Sequence, residues 1–344
     1  MVVKNTPVTR IYRQLYNENL YLGAYSKIYQ NDGALTKGTN EETIDGMSLQ
    51  RIQSIIDDMR VERFQWSPSR RTWRDKKNGG KRPLGIPNFR EKLVQEVLRA
   101  LLSAYYEPQF SRNSHGYRPK RGCHTALEQI AREFRGTVWF IEGDIKGCFD
   151  NINHDILMDI LRKSIHDNRL LNLIESGLKA GIVEDWEYEA THSGTPQGGI
   201  LSPLLSNIYL NELDNFMDTI LLPKWNCGRK RRANPEYDAL TKAIRKARER
   251  NETTLEKELK AKRREIPSQD TQDPSFRRLK YVRYADDFIL GFIGNKAEAT
   301  EIRDEISKFL SSRLRLQMSK EKTLITHART KKAKFLGYEF STYH

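Results

Sequence analysis

The apolar positions of the chain change period as it runs. Ile52, Ile55, Ile56 and Met59 recur at helical spacing, as do Leu93, Val94, Val97, Leu98, Leu101 and Leu102, and each set predicts an amphipathic helix. Between them, residues 70–82 are crowded with Lys and Arg and turned by Gly79-Gly80, while Pro83 and Pro87 exclude helix just beyond. A basic hairpin or loop is expected there. Residues 137–141 form a β-rich run leading to Gly143-Asp144, and a helix on Ile156, Leu157, Ile160 and Leu161 follows, with Asn153 as its cap. From 281 to 292 the pattern reads as two short strands around Ala285-Asp286-Asp287. A helix on Ile302, Ile306 and Phe309 comes next, then strand-like runs at 323–326 and 335–340. The first forty residues have no clear period and end in a Gly/Asn/Thr-rich loop at 32–40.

Between 223 and 274 the texture changes. Charges dominate, and no Pro or Gly interrupts 236–266, which predicts a long solvated helix or a helical hairpin turned near 251–254. Glu256 and Glu258 stand four residues before Lys260 and Lys262, a spacing for mutual support. The apolar anchors there are few, Leu240, Ile244, Leu255 and Leu259, so the segment is expected to project from the body. Arg229, Lys230, Arg231 and Arg232 make it a candidate RNA-binding surface, although the same charges would suit a solvated strut.

The whole chain repeats that bias. In 344 residues, 59 Lys and Arg face 45 Asp and Glu, leaving a net charge of +14 and a pI near 9.5, which favours a polyanionic partner. With 38% hydrophobic residues the chain has a sizeable core, and no apolar run approaches the roughly 20 residues that span a bilayer. Three widely spaced cysteines, Cys123, Cys148 and Cys227, read as reduced thiols. The expectation is a cytoplasmic, bacterial protein without a membrane segment.

Candidate chemistry sits where the strands end. An acid at the end of a buried strand and an Asp-Asp pair on a hairpin turn repel one another unless a divalent cation compensates. Hard carboxylate oxygens select Mg²⁺ or Mn²⁺, and two such ions are a general solution for in-line displacement at phosphorus.

Tyr284-Ala285-Asp286-Asp287 resembles the active-site hairpin of reverse transcriptases, and other blocks follow in order. Arg82-Pro83-Leu84-Gly85-Ile86-Pro87 and Ser114-His115-Gly116-Tyr117-Arg118-Pro119 are similar to fingers blocks. The stretch 141–150, with Asp144, resembles the first catalytic strand, 194–203 resembles the loop bordering the nucleotide site, and 334–338 the last palm block. Together, over roughly 45–340, they resemble the reverse transcriptases encoded by group II introns, the maturases.

The resemblance implies an α+β right-hand polymerase, with a small antiparallel palm sheet packed on helices and mostly helical fingers. It divides the chain into an N-terminal extension (1–43), fingers (44–136) and palm (137–344), with fingers elements returning at about 155–195 and a basic insertion at about 223–274. It implies that Asp144, Asp286 and Asp287 are the catalytic and metal-binding carboxylates, with the Ile145 carbonyl as a further metal ligand. Phe149 would sit under the sugar of the incoming nucleotide and exclude a 2′-hydroxyl. Gln197 would approach the nucleotide, and Arg82 with Lys76 or Lys77 would grip its triphosphate.

The family's helical thumb and nuclease segments are not expected in a chain ending at His344. A lobe without them exposes surface that makes a second copy a candidate partner. The expected function is RNA-directed DNA synthesis by a group II intron protein, with deoxynucleoside triphosphates, a primed RNA template and structured intron RNA as partners, assisting splicing and mobility. The alternative is an RNA-binding splicing cofactor that acts without polymerisation.

Overall fold

The computed structural model describes residues 6–31, 33–75, 79–184, 187–189, 193–195, 198–270 and 273–342. The N-terminal segment without a clear period folds as a tight helical turn (Ile11–Tyr16) and helix α1 (Glu18–Tyr29). Its Tyr12, Leu15 and Tyr21 enter the main core. The Tyr12 amide donates to Asp167 Oδ2 (2.9 Å) and its hydroxyl to the Met59 carbonyl (3.0 Å), so the aromatic rings lie inside while their polar tips find partners.

Helix α2 (Leu49–Arg60) starts at Ser48, whose side chain accepts the Arg51 N–H, and buries the four positions its period marks. Strands β1 (Ser69–Asp75) and β2 (Lys81–Ile86) pair antiparallel as the basic hairpin, and α3 (Phe89–Tyr106) follows. After α4 (Cys123–Glu133), strand β3 (Trp139–Asp144) leads to α5 (His154–Ser164), where Asn153 caps Ile156 N–H as its position predicts. Helix α6 (Asn168–Leu178) precedes β4 (Ile182–Glu184) and β5 (Glu187–Glu189). Strand β4 joins β1 in parallel, giving a sheet of order β2-β1-β4-β5.

Helix α7 (Ser202–Phe216) continues through one wide turn (Met217–Leu221) into α8 (Leu222–Trp225). Helices α9 (Pro235–Glu249) and α10 (Thr253–Glu265) form an antiparallel hairpin, so of the two forms the charge pattern allows the chain takes the turned one. Asn251 makes the turn in a left-handed conformation, φ 58°. Of the four expected anchors only Ile244 is buried, and α10 buries nothing. Glu256 pairs with Lys260 (2.8 Å) and, across the turn, with Arg248 (3.0 Å).

The chain closes with β6 (Arg278–Tyr284), β7 (Asp287–Ile293), α11 (Lys296–Leu314), β8 (Leu324–His327), β9 (Ala333–Phe335) and β10 (Tyr338–Phe340). The run expected as one strand over 335–340 is a hairpin, because Leu336 (φ 53°) and Gly337 (φ 82°) are both left-handed and reverse the chain.

The second sheet, β6-β7-β3-β8, is antiparallel throughout. Its side chains alternate in period two. Ile141, Tyr281, Phe288, Leu290 and Phe292 pack into the main core, while Phe140, Val282 and Ile289 meet a smaller cluster with Ala126, Ile130 and Phe134. No helix among the described residues is long and apolar enough to cross a membrane.

Arg283 occupies an inward position of β6 where an apolar side chain would fit the alternation. It is fully buried and forms a two-pronged ion pair with the equally buried Asp214 of α7 (2.8 and 2.6 Å), which also accepts the Tyr281 hydroxyl (2.9 Å). Burial opposes the guanidinium's charge, but the Asp214 carboxylate outweighs it and raises the Arg283 pKa. Asp214→Ala strands this cation and is expected to cost about 3–5 kcal/mol of stability. Urea unfolding of the variant beside the wild type measures it.

Candidate active site

Three carboxylates converge because two strands end together. Asp144 closes β3 and lies directly opposite Asp287, the first residue of β7. Tyr284 also pairs with Asp287 across the β6–β7 hairpin, so the connection is the two residues Ala285 and Asp286, with Ala285 at φ 55°. A non-glycine residue in that conformation is strained. Arg283 holds it there by donating from Nη1 to the Ala285 carbonyl (2.7 Å), while its other donors reach Ser114 Oγ (2.9 Å) and Asn207 Oδ1 (3.2 Å).

Asp144 is buried and Asp286 and Asp287 are half-buried. Burial pushes the Asp286 carboxyl up, and the charge of Asp144 adds to this; Arg82 and Lys322 oppose it. Asp287 is pushed up to about 7 by burial, then by its hydrogen bond with Asp144 and the charge of Asp286. Lys322 Nζ lies 2.9 Å from Asp144 Oδ1, yet its side chain is 67% exposed. An ammonium so exposed holds its partner weakly and can leave it.

Beyond Asp144 the chain pairs briefly with 317–319. Ser319 N–H donates to the Asp144 carbonyl (2.8 Å) and Lys146 N–H to the Gln317 carbonyl (2.9 Å). This pairing leaves the carbonyl of Ile145, a buried residue, outside the ladder.

Phe149 lies buried in the turn that follows (Cys148–Asn151), with its carbonyl accepting Thr195 N–H (2.8 Å). Gly194 is laced to the same turn by its N–H to the Ile152 carbonyl (2.8 Å) and by its own carbonyl, which accepts from His154 Nε2 (2.6 Å). Gly198 packs so closely on β2 that a Cβ would stand 2.9 Å from the Gly85 carbonyl oxygen. Gly194 and Thr195 thus lie against the turn of Phe149, and Gly198 lies against the basic hairpin that carries Arg82. Lys76 and Gln197 lie outside the described residues.

The basic run is not equally available. Arg231 stacks on Phe276 (5.4 Å), which Arg278 covers at 4.0 Å, and Arg232 pairs with Asp273 (3.6 Å). Arg229 and Lys230 are exposed. Sequence reasoning missed Lys322, for which no periodic or compositional signal exists. It also missed Arg283, whose charge at an inward β position was a legible signal.

A reverse transcriptase (RNA-dependent DNA polymerase) family model matches residues 74–229. The chain is 46% identical over 340 residues to group II intron-encoded protein LtrA of Lactococcus lactis subsp. cremoris, covering 96% of this chain and 56% of that protein. Protein YkfC of Escherichia coli is 32% identical over 296 residues, 84% of this chain and 71% of its own length. The chain belongs to the group II intron-encoded reverse transcriptase family. It spans little more than half the length of LtrA. Apo telomerase from Candida tropicalis superposes with a TM-score of 0.52 at 14% identity, over 80% of this chain and 47% of that one. The α+β architecture is the fingers-palm fold of right-hand polymerases.

The raised Asp287 carboxyl has a pH signature. Its folded pKa exceeds the ordinary 3.8, so stability is fully present below that value and is lost as pH rises to about 7. Asp287→Asn removes this loss. In chelator-containing buffer the variant is expected to melt higher than wild type by roughly 2–5 °C at pH 8. The gap should narrow steadily toward pH 4; thermal melts across that range decide it.

Proposed function

We propose that this chain is an RNA-directed DNA polymerase that transfers deoxynucleotides to a primer 3′-hydroxyl at Asp144, Asp286 and Asp287. The observation that supports this most is the convergence of three carboxylates whose mutual repulsion is only partly compensated by Lys322 and Arg82. Such a donor set fits Mg²⁺ or Mn²⁺. Among the described residues no three His, Cys, Asp or Glu side chains form a ready-made cage; Mg²⁺ generally keeps several waters and takes substrate phosphates beside one or two carboxylates. When bound, the cations lower the pKa of the attacking hydroxyl and neutralise charge on the triphosphate.

The protein's own part is placement. Asp144 and Asp286, with the Ile145 carbonyl, present hard oxygens, and Asp287 completes the set after losing its proton. Arg82, aided by Lys76 or Lys77, draws the triphosphate toward the carboxylates. Phe149 and Gln197 border the sugar. The new P–O bond forms as the bond to pyrophosphate breaks, and the hydroxyl proton is released. The template is RNA, and structured intron RNA is the further partner whose splicing and mobility the protein assists. We assign the fingers to 44–136 and the palm to 137–344.

Asp286→Asn removes a ligand oxygen without altering the basic surface, so incorporation on oligo(dT)-primed poly(rA) should fall to the metal-free background while RNA affinity is retained. Incorporation above that background would overturn the role of Asp286. Wild-type protein that binds intron RNA but never extends the primer would favour a splicing cofactor acting without polymerisation.

Arg229 and Lys230, exposed members of the basic run, are assigned to phosphate contact, with Arg231 on Phe276 and Arg232 paired with Asp273 beside them. Changing Arg229 and Lys230 to Gln should reduce the slope of log affinity against log salt by about 0.7–0.9 per lost contact. Superimposable titrations would make the segment a strut.

A further inference from the structure

Tyr117 holds a left-handed backbone conformation, φ 56°, which a bulky residue rarely adopts without compulsion. Here both sides compel it. Before it, His115 N–H donates to the Arg283 carbonyl (2.9 Å), the Gly116 carbonyl accepts from Asn207 Nδ2 (2.8 Å), and a Cβ on Gly116 would collide with the Ala285 amide. After it, the buried Arg118 guanidinium donates to the carbonyls of Ser111 (2.6 Å) and Ser114 (2.8 Å) and to the Glu107 carboxylate (2.8 Å).

A residue in so strained a place is usually small or serves the core. Tyr117 does neither, for it is 52% exposed. Its ring meets Phe149 edge to face, with centroids 6.2 Å apart and planes at 77°. Its hydroxyl hydrogen-bonds with Arg82, and the charges of Asp286 and Asp287 reach it. One side chain therefore touches both groups assigned above to the sugar and the triphosphate, from a backbone wedged against the carboxylate hairpin.

We infer that Tyr117 is a positioning residue for nucleotide selection: its ring sets the height of Phe149 beneath the sugar, and its hydroxyl aims Arg82 at the triphosphate. The inference rests on the proposed reading of Phe149 and Arg82. The two functions separate because ring and hydroxyl separate. Tyr117→Phe keeps the ring and frees Arg82. Tyr117→Gly removes both and suits the left-handed backbone, so the fold survives it.

Extension of oligo(dT) on poly(rA) with dTTP or UTP tests this, with Phe149→Ala and Arg82→Ala in parallel. Tyr117→Phe should raise KM for dTTP about three- to tenfold, with kcat and the dTTP:UTP preference retained. In the double variant with Arg82→Ala that effect should vanish, since the hydroxyl acts through Arg82. Tyr117→Gly should also lower the dTTP:UTP preference, by roughly tenfold, while melting no lower than wild type. A merely structural tyrosine would give the reverse: a lower melting temperature and an unchanged preference. If Phe149→Ala relaxes the preference and Tyr117→Gly does not, the inference fails alone. If Phe149→Ala changes nothing, the reading of Phe149 fails and the inference falls with it.

Discussion

The buried pair of Arg283 and Asp214 is the contact on which the site's geometry depends. Two full charges at zero exposure are a heavy desolvation cost, and only close, two-pronged geometry with every donor used offsets it. Here the donors are used on three different pieces of chain: α7 through Asp214 and Asn207, the 111–118 loop through Ser114, and the β6–β7 turn through the Ala285 carbonyl. Each donor used to offset the burial also fixes a segment next to the carboxylates. A hydrophobic residue would fill the volume more cheaply but would leave the strained turn at Ala285 free to relax.

That rigidity has a counterpart in unbalanced charge. The fold presses Asp144, Asp286 and Asp287 together, and among the described residues the opposing cations Lys322 and Arg82 sit on exposed side chains. Raised carboxyl pKa values are the physical expression of that shortage. A site held rigidly while electrostatically incomplete is suited to a ligand that brings positive charge, and stability is lost to keep it so. Around it, the ties among Phe149, Thr195, Gly194 and His154 mean that the nucleotide-side loop and the turn after β3 move together or not at all.

The basic insertion obeys different physics. With α10 burying nothing and α9 only Ile244 and Ala247, its position relies on charge pairs such as Glu256 with Arg248 and Lys260, each worth little in water. Its charge is also not equally free: Arg231 lies on Phe276 and Arg232, though exposed, pairs with Asp273, while Arg229 and Lys230 face solvent.

Much was legible from local pattern. Helices α2, α3, α5 and α11 follow from apolar period, the basic hairpin from Gly79-Gly80 between charged runs, and the acidic turn from a hydrophobic run broken by Ala285-Asp286, because these depend on neighbours within a few residues. The family, too, was legible, since its motifs are short words in fixed order. Tertiary structure alone decided the rest. It turned the aperiodic N-terminus into core, made one expected strand a hairpin, and showed which two of four consecutive basic residues are engaged. It also brought Lys322 to Asp144, 178 residues apart, and Tyr117 between Phe149 and Arg82. Contacts across such separations leave no period in the chain: they arise only when packing has closed the loops between them, and a charged or aromatic residue then acquires partners that its neighbours in sequence do not announce.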